Sequence, residues 1–321
     1  MSRTITNDIN GSHSLPRIAW IGLGNIGAGM CKNIAAKAQI KLPVSVFDVD
    51  MDRVRAVQSH DPKRFRIAAS VVDAVRESDM IFYSVPDDAI VLDVVKQITS
   101  IGIEDKIMVD CSTIHPDTTT KEDAMIGSRS GKFVACPVFG AAAMADSGQL
   151  ICNLAGQEES VAKVRPFCNG VTSAHTIDLA GQSPAQATLL KIIGNTFVLN
   201  MVSVLSEGHV LAETSGLGTD VLHQFIELMF PGPYTKYSER MLSGDYYKTE
   251  RPLFSVALAR KDARHAQALA NSAGFTLENV ATADNLLRVV EKHRGQQAEM
   301  AAMYGSKRLD AGLAFENQQQ L

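Results

Sequence analysis

The chain has 321 residues, 45% of them apolar, which is ordinary for a globular protein and enough for about two domains. A formal net charge of −4 leaves no electrostatic footprint for nucleic acid or an anionic membrane, and no apolar run approaches the roughly 20 residues that span a bilayer. The five cysteines (Cys31, Cys111, Cys136, Cys152, Cys168) lack metal-ligand spacing, so no metal is expected. Their odd number without a secretion signal points to a reducing, cytoplasmic setting.

In chain order, residues 1–15 are polar and rich in Ser, Thr and Asn, and read as a disordered arm. Arg3 is offset by Asp8 and amphipathic character is slight, which argues against a mitochondrial presequence. The apolar run Arg17-Ile18-Ala19-Trp20-Ile21 then feeds Gly22-Leu23-Gly24-Asn25-Ile26-Gly27, followed by a helical pattern over 28–38. Strand, Gly-x-Gly-x-x-Gly turn and helix in that order predict a dinucleotide site. Gly22 permits the tight turn, Gly24 lets a pyrophosphate approach the backbone, and Gly27 lets helix and strand pack closely. A second strand, 44–47, ends at Asp48, an acid placed to accept hydrogen bonds from the adenosine ribose hydroxyls.

Strand and helix patterns go on alternating: helix 54–59, strand 66–68, helix 71–76, strand 80–85, helix 90–98, strand 106–110, strand 133–136, strands 150–155 and 174–177 around a helix at 160–168. Repeated units of this kind predict a parallel sheet covered on both faces. Three strand ends bring candidate groups to where ligands bind in such sheets: Val85-Pro86-Asp87-Asp88, Asp110-Cys111-Ser112-Thr113-Ile114-His115-Pro116, and Pro137-Val138-Phe139-Gly140-Ala141-Ala142.

The character changes at Ser183-Pro184, a cap followed by a first-turn proline. One long apolar helix is predicted to about residue 214, too apolar for a single exposed face and therefore buried between domains or subunits. Helical segments follow at 219–229, 254–272, 277–293 and 296–304, with a loop at 230–237. The predicted fold is therefore α/β, a doubly wound parallel sheet over 16–182 followed by an all-α domain over 183–321.

Within the long helix, Lys191 lies among apolar residues, where a lysine needs a partner. Asn195 is four residues on, hence on the same helical face. A desolvated lysine beside a cationic nicotinamide has a lowered pKa and can serve as a general base, with Asn195 holding the substrate hydroxyl. The bland alternative is a snorkelling lysine with a satisfied asparagine. Lys261-Asp262 reads, on sequence alone, as an ion pair on a helix surface.

The glycine turn, Asp110-Cys111-Ser112-Thr113, Pro137-Val138-Phe139-Gly140, Lys191-Ile192-Ile193-Gly194-Asn195 and Arg260-Lys261-Asp262 resemble, in order and spacing, the motifs of the β-hydroxyacid dehydrogenases, the 3-hydroxyisobutyrate and 6-phosphogluconate dehydrogenase superfamily. The resemblance covers about residues 16–300. It implies a Rossmann-type domain, an all-helical domain and a homodimer or homotetramer acting on a small molecule, with neither nucleic acid nor membrane as partner. It implies hydride transfer between a nicotinamide cofactor and a 3-hydroxyacid or its semialdehyde or keto form, with Lys191 as acid/base and Asn195 orienting the substrate. Gly22 to Gly27, Asp48, Val85, Pro86, Thr113 and Lys261 would lie at the cofactor; Ser112, Phe139, Gly140 and Ala141 would lie at the substrate.

The chain departs from the pattern in two places. The family's substrate loop usually reads Pro-Val-Ser-Gly-Gly, so Phe139 replaces a hydroxyl that helps hold the substrate carboxylate, leaving the Gly140 and Ala141 N–H groups for an anion. Gly194 and Val198 stand where the 6-phosphogluconate branch has a histidine and a glutamate, which disfavours oxidative decarboxylation. Imine reductases share the fold but typically replace the lysine, and a non-catalytic dinucleotide-binding scaffold need not keep it. NADP-preferring members often place Asn-Arg where this chain has Asp48-Val49. A carboxylate repels a 2′-phosphate, so NAD is expected, with Arg53 and Arg55 leaving NADP open.

Overall fold

The computed structural model describes residues 14–317. Most of the expected N-terminal arm and the Gln318-Gln319-Gln320 tail lie outside the described residues. Strands and helices alternate through β1 (Arg17–Ile21), α1 (Gly27–Lys37), β2 (Lys41–Phe47), α2 (Met51–His60), β3 (Phe65–Ile67), α3 (Val71–Arg76), β4 (Met80–Tyr83), α4 (Asp88–Ile98), β5 (Ile107–Asp110), α5 (Pro116–Gly127) and β6 (Lys132–Ala135). Then come β7 (Val138–Phe139), α6 (Ala142–Ser147), β8 (Leu150–Gly156), α7 (Glu158–Val164) and β9 (Ser173–Ala180). The rest is helical: α8 (Ala185–Thr214), α9 (Thr219–Met229), α10 (Pro233–Leu242), α11 (Asp245–Lys248), α12 (Val256–Ser272), α13 (Glu278–Arg294) and α14 (Met303–Asp310).

The sheet runs β3-β2-β1-β4-β5-β6-β8-β7, with β9 beside β8. It is parallel from β3 to β6, as the alternating pattern predicts. Beyond β6 the expectation of an all-parallel sheet is corrected: β8 runs antiparallel to both β6 and β7, because β7, α6 and β8 form a short return rather than a crossover. Alternate residues face opposite sides. Ile18, Trp20 and Phe82 join the core under α1, while Ala19, Ile21 and Ile81 join the core under α3 and α4. Register places Ile21 beside Tyr83, Tyr83 beside Asp110, and Asp110 beside Ala135. Four strands thus end level, and the loops after them share one edge. The chain crosses over β1 between β3 and β4, which makes this edge the crevice where open α/β sheets bind ligands.

Four segments depart from the pattern-based reading. No helix is read at 116–127, where α5 stands; Thr118, Thr119 and Glu122 take up most of its buried face, so it shows no apolar stripe. No helix is read at 142–147 either, where α6 stands. α10 starts inside the loop expected at 230–237, Pro233 acting as a first-turn residue after Gly232. The helix expected at 296–304 is a 3₁₀ turn, Met300–Ala302, leading into α14.

The expectation that no apolar run approaches membrane-spanning length is corrected: by length and composition α8 could cross a bilayer, with a mean hydropathy of 1.6 over its most apolar window. It instead runs through the helical region, packed on α12, α13 and α14 and, near its start, on α5 and β8. Its buried stripe includes Ala187, Thr188, Lys191, Ile192, Asn195, Leu199 and Val202. The motif pair therefore sits on the inward face of a packed helix.

Candidate functional site

The glycine turn is built as its spacing requires. Gly22 has φ +88, and a Cβ there would meet the Ser84 carbonyl oxygen at 2.2 Å. A Cβ on Gly27 would come 2.3 Å from the Gly22 carbonyl oxygen, so close packing of α1 on β1 depends on its absence. Gly24 differs: a Cβ there would meet nothing within 4 Å. The space above it is open, and α1 begins without a side-chain cap on its first N–H groups. An open backbone cradle at an uncapped helix start fits a pyrophosphate. Leu23 donates its N–H to Asp48 Oδ2 at 2.6 Å, and Asp48 Oδ1 accepts from the Asp50 N–H at 2.8 Å. These bonds fix the carboxylate at the end of β2, with lone pairs left for a ribose hydroxyl. Asn25 turns outward, and its side-chain amide donates to the Pro252 carbonyl at 3.1 Å, tying the turn to the loop before α12.

The next loops are cross-linked. Ser112 Oγ accepts from the Val85 N–H at 3.0 Å, and the Ser112 N–H donates to Asp110 Oδ1 at 2.8 Å. Ser112 is buried in this role, while Val85 and Thr113 stay half-buried and Pro86 is exposed at the edge. Below them Tyr83 donates its hydroxyl to Glu122 Oε1 at 2.9 Å. Burial raises the Asp110 carboxyl to about 6, and burial together with the Asp110 charge holds the Glu122 carboxyl well above its ordinary range.

The centre of the site is a chain of polar contacts between α8 and α12. Lys191 Nζ donates to Asn195 Oδ1 at 3.1 Å, and Asn195 Nδ2 donates to Asp262 Oδ2 at 2.6 Å. Asp262 Oδ1 lies 3.3 Å from Lys261 Nζ, which in turn donates to the Thr113 carbonyl. The expected surface ion pair at Lys261-Asp262 is thus corrected: Lys261 is 8% and Asp262 2% exposed. Its further partners come from the loop after β5 and from α8, which residue spacing along α12 does not reveal. Burial pushes the Lys191 ammonium down to about 8; the Asp262 charge opposes this and Lys261 adds to it.

Phe139 completes the constellation. Lys191 Nζ stands 4.4 Å from the centroid of its ring. The ring rests on Gly194, where a Cβ would lie 2.4 Å from the ring. Gly140 and Ala141 continue from Phe139 at the cleft edge, with Met144 and Leu150 against Gly140.

A second bridge, one helical turn further along α12, ties that helix to the start of α4. His265 Nε2 is 3.1 Å from Asp88 Oδ2, while Asp88 Oδ1 accepts from the His115 N–H and the Thr118 hydroxyl. Burial works against the Asp88 carboxylate, but these hydrogen bonds hold its pKa well below the usual range. Sequence inspection places Asp88 in a candidate strand-end loop but passes over His265, because the two lie on elements distant in sequence. All five cysteines are buried and free, and Cys136, Cys152 and Cys168 bring their sulfurs within 4.8 Å of one another, a convergence that linear spacing hides.

The structure thus gathers Lys191, Asn195, Phe139, Thr113 and Lys261 at one point, and places Gly22 to Gly27 and Asp48 further along the same edge, at the ends of β1 and β2. Residues 17–181 match the family described as the NAD binding domain of 6-phosphogluconate dehydrogenase. Residues 185–306 match the one described as NAD-binding of NADP-dependent 3-hydroxyisobutyrate dehydrogenase. An NADH-dependent oxidoreductase of Aspergillus ustus is 28% identical over 291 residues, covering 90% of this chain and 98% of that protein. The 3-sulfolactaldehyde reductase of Escherichia coli is 28% identical over 260 residues, covering 79% of this chain and 83% of the reductase. The solved structure of Mycobacterium tuberculosis 3-hydroxyisobutyrate dehydrogenase with L-serine shares the fold, with a TM-score of 0.77 at 21% identity, over 92% of this chain and 99% of that one.

Proposed function

The chain belongs to the β-hydroxyacid dehydrogenase family and is an NAD(P)-dependent oxidoreductase, and on that premise we propose that it moves a hydride to and from the carbinol carbon of a β-hydroxyacid-type substrate with Lys191 as general acid/base. The observation that carries this reading is the buried run Lys191–Asn195–Asp262 at the carboxyl edge of the sheet. Bound nicotinamide dinucleotide supplies the hydride acceptor or donor. In the oxidative direction the substrate hydroxyl must lose its proton, and a neutral Lys191 Nζ takes it. Asn195 Oδ1 holds one amine hydrogen and so aims the nitrogen lone pair away from the helix. Asp262, gripping the Asn195 amide, keeps that oxygen from flipping. In the reductive direction the same nitrogen returns the proton. Residues 16–182 hold the cofactor in this account, and residues 183–321 bring the base and the dimer surface. A panel of 3-hydroxyacids and the matching semialdehydes, followed by NADH absorbance, tests it; a panel with no turnover would defeat it.

Cofactor choice follows from charge. Asp48, Asp50 and Asp52 crowd the end of β2 and the start of α2, with Arg53 at 3.2 Å from Asp50 and Arg55 at 2.6 Å from Asp52. Both arginines are already paired, and a 2′-phosphate would enter beside the Asp48 carboxylate. The expected kcat/KM ratio favours NAD over NADP by at least about tenfold. Steady-state kinetics with both cofactors checks it, and a ratio favouring NADP would refute it.

Assembly follows from exposed apolar surface. Phe197, Val204 and Leu211, seven residues apart along α8, are 72%, 59% and 67% exposed, and Val221, Phe225 and Leu228 of α9 add to them. Such a patch calls for a cover, and a second copy of the chain supplies one. Light scattering at micromolar protein is expected to give a dimer or larger, and Val204→Glu to shift it towards monomer. A monomeric wild type would count against the reading.

A further inference from the structure

We propose that the arm of the substrate lying over Phe139 is a flat apolar group, aromatic by preference, and not a carboxylate. This rests on the hydride-transfer reading above and names its substrate class more closely. The ring of Phe139 is seated on the turn of α8 that carries the base: Nζ of Lys191 is 4.4 Å from its centroid, and Gly194 lacks the side chain that would displace it. A substrate whose reacting oxygen reaches Lys191 therefore has its neighbouring substituent close to this ring.

The ring face is unsuited to an anion, and the Gly140 and Ala141 N–H groups that could take one lie past the ring along the loop. Both cations of the site already have partners, Lys191 in Asn195 Oδ1 and the Phe139 face, Lys261 in the Thr113 carbonyl and Asp262. The Ser112 hydroxyl accepts from the Val85 N–H in a buried position. A carboxylate set on the ring face would meet the negative side of its quadrupole and lose water without gaining a cation. A planar apolar group meets the opposite situation. It can stack offset on the half-buried ring, and the exposed Met144, next to Gly140, adds apolar surface at the neighbouring turn.

Two aldehydes of equal reach isolate the effect: 3-phenylpropanal, ending in a phenyl ring, and succinic semialdehyde, ending in a carboxylate. With NADH, kcat/KM is expected to favour 3-phenylpropanal by at least about tenfold, the discrimination expected for an apolar contact of this size. Phe139→Ser should cut that ratio at least about tenfold, and Phe139→Leu, which keeps the site apolar, should fall between. A wild-type preference for succinic semialdehyde, or a ratio untouched by Phe139→Ser, would overturn the proposal. If the wild type reduces neither aldehyde, the hydride-transfer reading is what fails. Calorimetry of 3-phenylpropionamide and succinamate on the enzyme–NADH complex then decides the pocket alone. Tighter binding of the phenyl amide, lost in Phe139→Ser, supports it; tighter binding of succinamate overturns it.

Discussion

Replacing Lys191 with alanine is expected to lower kcat by at least about two orders of magnitude, within the range a positioned acid/base supplies. Cofactor binding should survive. The glycine turn and Asp48 lie at β1, α1 and the end of β2, and among the described residues their hydrogen bonds do not involve Lys191 or its partner Asn195. The variant is therefore expected to bind NAD with near wild-type affinity by calorimetry while failing in turnover. Asn195→Ala should be milder on kcat and raise KM, because it removes an orienting group and leaves the base. Lys191→Ala with near wild-type turnover on a confirmed substrate would move the acid/base role elsewhere.

Asp262→Ala is expected to have the second largest effect, on chemistry and stability together. Its carboxylate is 2% exposed and holds both the Asn195 amide and Lys261. Truncation leaves a buried lysine without its anion, a change that costs about 3 kcal/mol or more. It also frees Asn195 to turn, and misplacement of a reacting group by about an ångström can lower the rate on the order of 10²-fold. Asp262→Asn separates the two roles, since it retains an oxygen for the Asn195 amide but removes the charge. That charge raises the Lys191 pKa, so its loss should move the rise in oxidation rate to lower pH. Thermal unfolding and pH–rate profiles of both variants check these outcomes. An Asp262→Ala protein with wild-type melting and turnover would reduce Asp262 to a bystander.

What could be read from sequence alone follows from where the information lies. Gly22, Gly24 and Gly27 announce themselves because each answers a backbone requirement local to a few residues. The pairing of Lys191 with Asn195 was legible for the same reason, a four-residue interval on one helix. Asp262 was not, because its role depends on a contact 67 residues away in sequence. On sequence alone, Lys261-Asp262 looks like any exposed pair. α5 escaped because its buried face is polar: Thr119 donates to the Thr188 hydroxyl of α8 at 3.0 Å, and Glu122 serves Tyr83. Apolar periodicity cannot find a helix packed through hydroxyls. The seating of Phe139 on Gly194 joins two motifs that each looked like a separate departure, and only the fold shows that one makes room for the other.

The most direct test of Lys191 as the base is the pH dependence of kcat/KM for oxidation of the best substrate, wild type beside Lys191→Ala. A base acts when deprotonated, and burial brings this amine down to about 8. The wild-type profile should rise through about pH 8 and level off above it, while the residual activity of the variant stays flat across that limb. A wild-type profile flat through this range, or the same rise retained in Lys191→Ala, would contradict the assignment.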